Sequence, residues 1–125
     1  MEIISIFIIL LLLQIKHFIC DYPLQNAYML NKMKEKGWVL PLLSHSIVHG
    51  VGTFIVFVLY DFKIACILAI LDVILHFIVD RIKASPKLLN RWGIDKSMFW
   101  NMLGLDQMMH HIINILFVYV LYIMI

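Results

Sequence analysis

Four apolar runs, at about residues 3–20, 39–60, 62–80 and 104–125, take up most of this 125-residue chain. Each is close to the ~20 residues that a helix needs to cross a bilayer. A soluble core of this size cannot hide so much apolar surface, because 63% of the residues are hydrophobic and only 14% are charged. In lipid, each helix satisfies its own backbone polar groups, so runs of this kind predict helices. The expectation is an all-α fold: a four-transmembrane-helix bundle that forms one integral membrane domain over residues 1–125. The first run opens on Met1-Glu2 without basic residues and without a small-residue cleavage site, so it reads as a retained helix and not as a signal peptide.

Charge gathers between the runs. Lys32, Lys34 and Lys36 lie between runs one and two, and Arg81, Lys83, Lys87, Arg91 and Lys96 between runs three and four. The turn between runs two and three holds only Lys63 beside Asp61. The positive-inside rule then places both basic connections in the cytoplasm and both termini outside, as in a protein of a bacterial inner membrane. Leu24 to Lys36 mixes Leu24, Tyr28, Met29 and Met33 with polar residues and ends at Gly37, while Trp38, Trp92, Phe99 and Trp100 stand where aromatic belts form. These connections are expected to lie along the interface as short amphipathic helices. Cys20 and Cys66 fall inside apolar runs and form no CxxC or disulfide framework, so both read as packing residues.

The polar residues inside the runs are not scattered. The pairs His17/Asp21, His45/His49, His76/Asp80 and Asp106/His110 are each four residues apart, so each occupies one helix face, one turn above the other. Six His and six Asp in a chain of 125 should give about one such pair by chance. There are five, since Asp72 also precedes His76 by four. Chargeable groups within apolar helices are costly and mark function. With the chain running out and back, all four pairs fall at the cytoplasmic end. The deeper members are His17, His49, His76 and His110; the shallower ones are Asp21, His45, Asp80 and Asp106. The two layers are about 6 Å apart along a helix axis.

Imidazole and carboxylate groups at this spacing point to a divalent metal centre. Two ions are expected, with zinc first and manganese or iron next, held by those eight side chains. Two dications against three carboxylates and one bridging hydroxide would leave a neutral site. Asp72, Asn114 and Thr53 extend the polar stripe one turn deeper, and Asp72 reads as a partner of a ligand rather than a ligand. Gln25 and Gln107, each near a pair, are candidates for the same role. Arg81 and Lys83 are ordinary positive-inside anchors or, in the alternative, contacts for a substrate phosphate. His111 lies about 100° around the helix from His110 and is set aside as a ligand.

The strings His17-Phe-Ile-Cys-Asp21-Tyr-Pro-Leu-Gln25, His45-Ser-Ile-Val-His49-Gly, His76-Phe-Ile-Val-Asp80-Arg-Ile-Lys83 and Leu105-Asp106-Gln107-Met-Met-His110 resemble the domain of unknown function 3307 family of small bacterial and phage membrane proteins. That resemblance covers nearly the whole chain and implies a fold and a site but no activity. Cys20 stands where the family pattern leads one to expect glycine. More loosely, the pattern is similar to proteins described as inner-membrane metal-dependent hydrolases. The leading expectation is a metal-dependent hydrolase acting on a phosphate ester or other amphiphilic ester, with Asp21, Asp80 and Asp106 as candidate catalytic carboxylates. The alternatives are a divalent metal-ion transporter or channel, a metal-free His–Asp proton relay, a di-iron oxidase, or a non-catalytic structural metalloprotein. The nearly all-apolar outer halves, Ile3–Leu13 and Ile115–Ile125, argue against transport. The expected partners are the bilayer and a lipid or amphiphilic phosphate, not nucleic acid; a homo-oligomer is left open.

Overall fold

A computed structural model describes residues 1–87 and 89–125. Four long α-helices follow one another: α1 (Ile3–Asp21), α2 (Val39–Val58), α3 (Phe62–Ala84) and α4 (Ser97–Met124). Among the described residues there is no strand. All four helices are long and apolar enough to cross a membrane, and the chain is a membrane protein.

Local chemistry explains most of the boundaries. Pro41 falls in the first turn of α2, where a backbone N–H has no helical partner to lose. The α2–α3 hairpin closes with Tyr60 and Asp61 both donating their backbone N–H to Phe57 O, at 3.0 and 3.1 Å. The Asp61 side chain then caps α3 by accepting from Ile64 N at 2.8 Å. Helix α4 begins at Ser97, a full turn and more before the predicted 104, because Ser97 to Leu103 contain no helix breaker.

The basic connections carry short helices, which among the described residues are the 3-10 segments Met29–Met33 and Leu89–Arg91. Gly37, at φ 71°, ends the first connection. The turn at Asn26, whose side chain accepts from Met29 N at 2.9 Å, starts its 3-10 segment.

The helices pack in a ring, α1 against α2, α2 against α3, α3 against α4 and α4 back onto α1, with α2 and α3 in the most extensive contact. Two glycines of α2 permit this. A Cβ at Gly50 would collide with the Val73 side chain of α3, and one at Gly52 would lie 2.7 Å from Lys16 Cγ of α1. Side chains such as Ile4, Phe7, Ile55, Leu59 and Ile70 point outward and are 60–74% exposed, as a bilayer-facing surface requires.

The interior divides along the bundle axis. The half that contains the α2–α3 hairpin is dry, built from Ile9, Leu13, Phe57, Leu68, Phe117 and Leu121 with their neighbours. The half next to the basic connections buries Lys16, His17, His45, His49, Thr53, Asp72, His76, Asp80, Asp106, His110 and Asn114. Polar groups so concentrated inside a small membrane bundle are costly unless they find partners there.

Candidate metal centre

Helix periodicity brings the four pairs to one end of the bundle, and the side chains meet across the axis. Asp21 is the hub. Its Oδ1 lies 2.7 Å from His49 Nε2 and 3.3 Å from His45 Nε2, and its Oδ2 lies 3.1 Å from His17 Nε2. The imidazoles of His49, His76 and His110 form a column, with ring centroids 3.7 Å apart in the first step and 4.4 Å in the second. His45 meets His49 edge-on at 4.8 Å and His76 at 5.2 Å.

Within this cluster, Asp21, His45, His49 and His76 each turn one donor atom toward the others, all within 4.8 Å. Three helices supply them: α1, α2 and α3. Among the described residues, His45 Nδ1 and His49 Nδ1 have no hydrogen-bond partner, and His45 Nε2 has only the 3.3 Å approach to Asp21 Oδ1. Buried polar atoms are nearly always paired, so this imidazole set is short of a partner. A tetrahedral ion with ligands at about 2.0–2.2 Å needs donors roughly 3.3–3.6 Å apart.

The other expected ligands are arranged differently. His17 Nε2 also lies 3.0 Å from Gln107 Oε1. Asp106 Oδ1 approaches His110 Nε2 to 3.2 Å, while Asp106 Oδ2 accepts from Gln107 Nε2 at 3.0 Å and lies 3.8 Å from Lys83 Nζ. Asp106, His110 and His17 therefore form a second group on the α4 side, joined to the first by the imidazole column. Asp80 sits apart from both: its Oδ2 accepts from Lys32 Nζ at 2.6 Å and is 3.7 Å from His45 Nε2. Gln25 Nε2 donates to Asp21 O at 2.9 Å, and Asn114 is buried one turn deeper on α4. His111 is half-buried, its ring centroid 5.8 Å from that of His17.

Two buried lysines were not legible as site residues. Lys16 donates to Asp72 Oδ2 at 3.0 Å, and Thr53 Oγ1 donates to the same oxygen at 2.5 Å, so α1, α2 and α3 are tied together beneath the histidines. Asp72, expected to support a ligand histidine, is instead the counter-ion of Lys16. A lysine inside an apolar run needs a carboxylate at its own depth, and that signal points from Lys16 to Asp72. Lys32, counted as a topology charge, is 4% exposed and dips from its 3-10 segment onto Asp80. Arg81 anchors that segment: its Nη1 donates to Lys32 O at 2.9 Å and to Lys34 O at 3.2 Å, and its guanidinium lies 3.9 Å from the Trp38 ring centroid. Arg81 is thus committed to holding the strap over the polar end. Lys83, about one third exposed, is not.

Compared with known proteins, residues 6–125 match a model of the family described as "Protein of unknown function (DUF3307)". No curated protein matches, and no solved structure does.

Proposed function

We propose that this chain, which belongs to the DUF3307 family over nearly its whole length, is a membrane-embedded metalloprotein that hydrolyses a phosphate ester carried by an amphiphile. One observation carries the reading: the donor atoms of Asp21, His45, His49 and His76 converge within 4.8 Å in a buried place where His45 has no other partner among the described residues. Zinc suits three imidazoles and one carboxylate, with manganese and iron next.

Charge supports one ion at this group in preference to two. The polar half holds four carboxylates, with Asp72, Asp80 and Asp106 buried and Asp21 partly exposed, and two buried ammonium groups, Lys16 and Lys32, which sum to −2 with neutral imidazoles. One dication brings that sum to zero, and charge left uncompensated in a membrane interior is expensive. A second ion would draw on Asp106, His110 and His17.

A bound divalent ion lowers the pKa of a coordinated water and polarises a phosphoryl oxygen. The chain's own groups supply the rest. Asp106, whose Oδ1 lies 3.2 Å from His110 Nε2, would take the proton of an attacking water. Lys83 can neutralise a phosphate oxygen. The water oxygen bonds to phosphorus, the ester P–O bond breaks, and the departing alkoxide takes up a proton. The dry half of the bundle favours a closed site over an ion-conducting path.

The test is elemental analysis of the purified protein together with turnover. About one equivalent of transition metal per chain is expected, with release of phosphate from an amphiphilic phosphomonoester that stops on chelation and returns with zinc. Protein that carries no transition metal overturns the reading; metal without turnover leaves the site and removes the hydrolase.

The eight basic residues at the site end, against Lys63 at the other, support a cytoplasmic site with both termini outside. In a background without Cys20 and Cys66, a cysteine at Lys34 should label only from the cytoplasm and one at Asp61 only from outside. The reverse pattern inverts the topology.

A further inference from the structure

Gln107 of α4 touches two groups of the polar end at once. Its Oε1 lies 3.0 Å from His17 Nε2 of α1, and its Nε2 donates to Asp106 Oδ2 at 3.0 Å. The two ends of an amide are not equivalent: the oxygen only accepts and the nitrogen only donates. An ionised carboxylate also only accepts, so Asp106 must receive the amide N–H. Lys83 Nζ, 3.8 Å from the same carboxylate oxygen, supplies the counter-charge. The carbonyl end of Gln107 is thereby turned to His17, whose Nε2 must carry a hydrogen to meet it. A second acceptor makes the same demand independently, because Asp21 Oδ2 lies 3.1 Å from that nitrogen. A bare Nε2 would set its lone pair against two oxygens.

We propose that Gln107 is a positioning residue that fixes His17 as the Nε2–H tautomer, and that His17 steers the Asp21 carboxylate instead of binding metal. This deepens the metalloprotein reading and rests on it. The two oxygens of Asp21 then have separate tasks. Oδ2 stays beside the His17 N–H, and Oδ1 is left to the Nε2 atoms of His45 and His49, at 3.3 and 2.7 Å. His17 is 7% exposed, so little water reaches it to replace Gln107 as a partner. The four converging donors are Asp21, His45, His49 and His76, without His17. A nitrogen that carries a hydrogen has no lone pair for an ion, so the bridge withdraws one of the three groups on which a second ion would draw. That agrees with the charge balance, which one dication already completes. The same bridge orients Asp106. Its Oδ2 is taken by Gln107, and Oδ1 is the oxygen left facing His110 Nε2 at 3.2 Å.

The experiment is NMR of the histidine ring nitrogens in the full chain in detergent, with His17 assigned through its backbone resonances and zinc counted on the same samples. Wild-type His17 should show a protonated Nε2 and a bare Nδ1, with zinc and without it. Gln107→Leu, which offers neither end of the amide, should replace that single form by a mixture of tautomers, a change that loss of packing alone does not produce. His17→Gln keeps an N–H donor at similar reach and should hold as much zinc as wild type. His17→Ala removes the donor, and its zinc affinity should fall by roughly 10–100-fold, the range for a group that orients a ligand. A wild-type His17 with Nε2 bare or bound to zinc overturns the proposal, and so does the loss of an equivalent of zinc from a folded His17→Gln protein. The wild-type spectrum decides even where a variant does not fold. A protein that takes up no zinc, yet shows the Nε2–H form and its disturbance in Gln107→Leu, keeps the bridge and removes the metal reading, so the two failures are separate.

Discussion

Asp21→Asn should purify with its metal lost, the affinity falling by more than about 100-fold. Disturbing a residue that merely orients a ligand already costs roughly 10–100-fold, and Asp21 is placed to do more. Its two oxygens lie 2.7–3.3 Å from the Nε2 atoms of His17, His45 and His49. Asparagine keeps the volume but presents N–H donors where imidazoles need a shared acceptor or a cation, and it removes one of the charges that a dication balances. His49→Ala should lose metal to the same degree. His111→Ala should keep it, since His111 is not one of the four converging donors. Asp80→Asn gives the sharpest contrast. Because Asp80 Oδ2 is held by Lys32 at 2.6 Å and lies 3.7 Å from His45 Nε2, its loss should fall within the range of an orienting residue. Full metal in Asp21→Asn would sink the site; equal loss in Asp80→Asn would return Asp80 to the ligand set.

The fold was legible because its determinants are local. Run length and the four i,i+4 pairs each act within a few residues, and each marks a helix or its polar face. The meeting of the pairs at one end followed from the alternation of the spans. Partner choice was much harder to read. Asp72, Asp80 and Asp106 are the same residue type on polar helix faces, and one serves Lys16, one Lys32 and one His110. What separates them is tertiary: the Lys32 strap folds back only because Arg81 holds the carbonyls of Lys32 and Lys34. No period in the sequence encodes that. The charge count also shifts for this reason, since each buried lysine removes a carboxylate from those free to meet a metal.

Lys16→Met should destabilise the bundle by about 3–5 kcal/mol, the range for removing one partner of a buried ion pair. The substitution keeps the aliphatic stem that packs against Gly52 and takes away only the ammonium. Asp72 is then left with Thr53 as its one strong donor, in a place where both pair members are no more than 7% exposed. The pair itself is a different matter from its breaking. Desolvation offsets most of its Coulomb attraction, so replacing both partners with apolar groups is close to neutral or stabilising. The double variant Lys16→Met with Asp72→Leu should therefore recover most of the lost stability, and thermal unfolding of the four proteins of this cycle in one detergent measures the coupling. Metal content separates structure from chemistry. Asp72 belongs to Lys16 and not to the four-donor group, so the stabilised double variant should retain wild-type metal. A Lys16→Met protein that unfolds at the wild-type temperature would remove the ion pair from the fold's determinants. A double variant that recovers stability but loses its metal would show that Lys16 and Asp72 serve the metal centre directly.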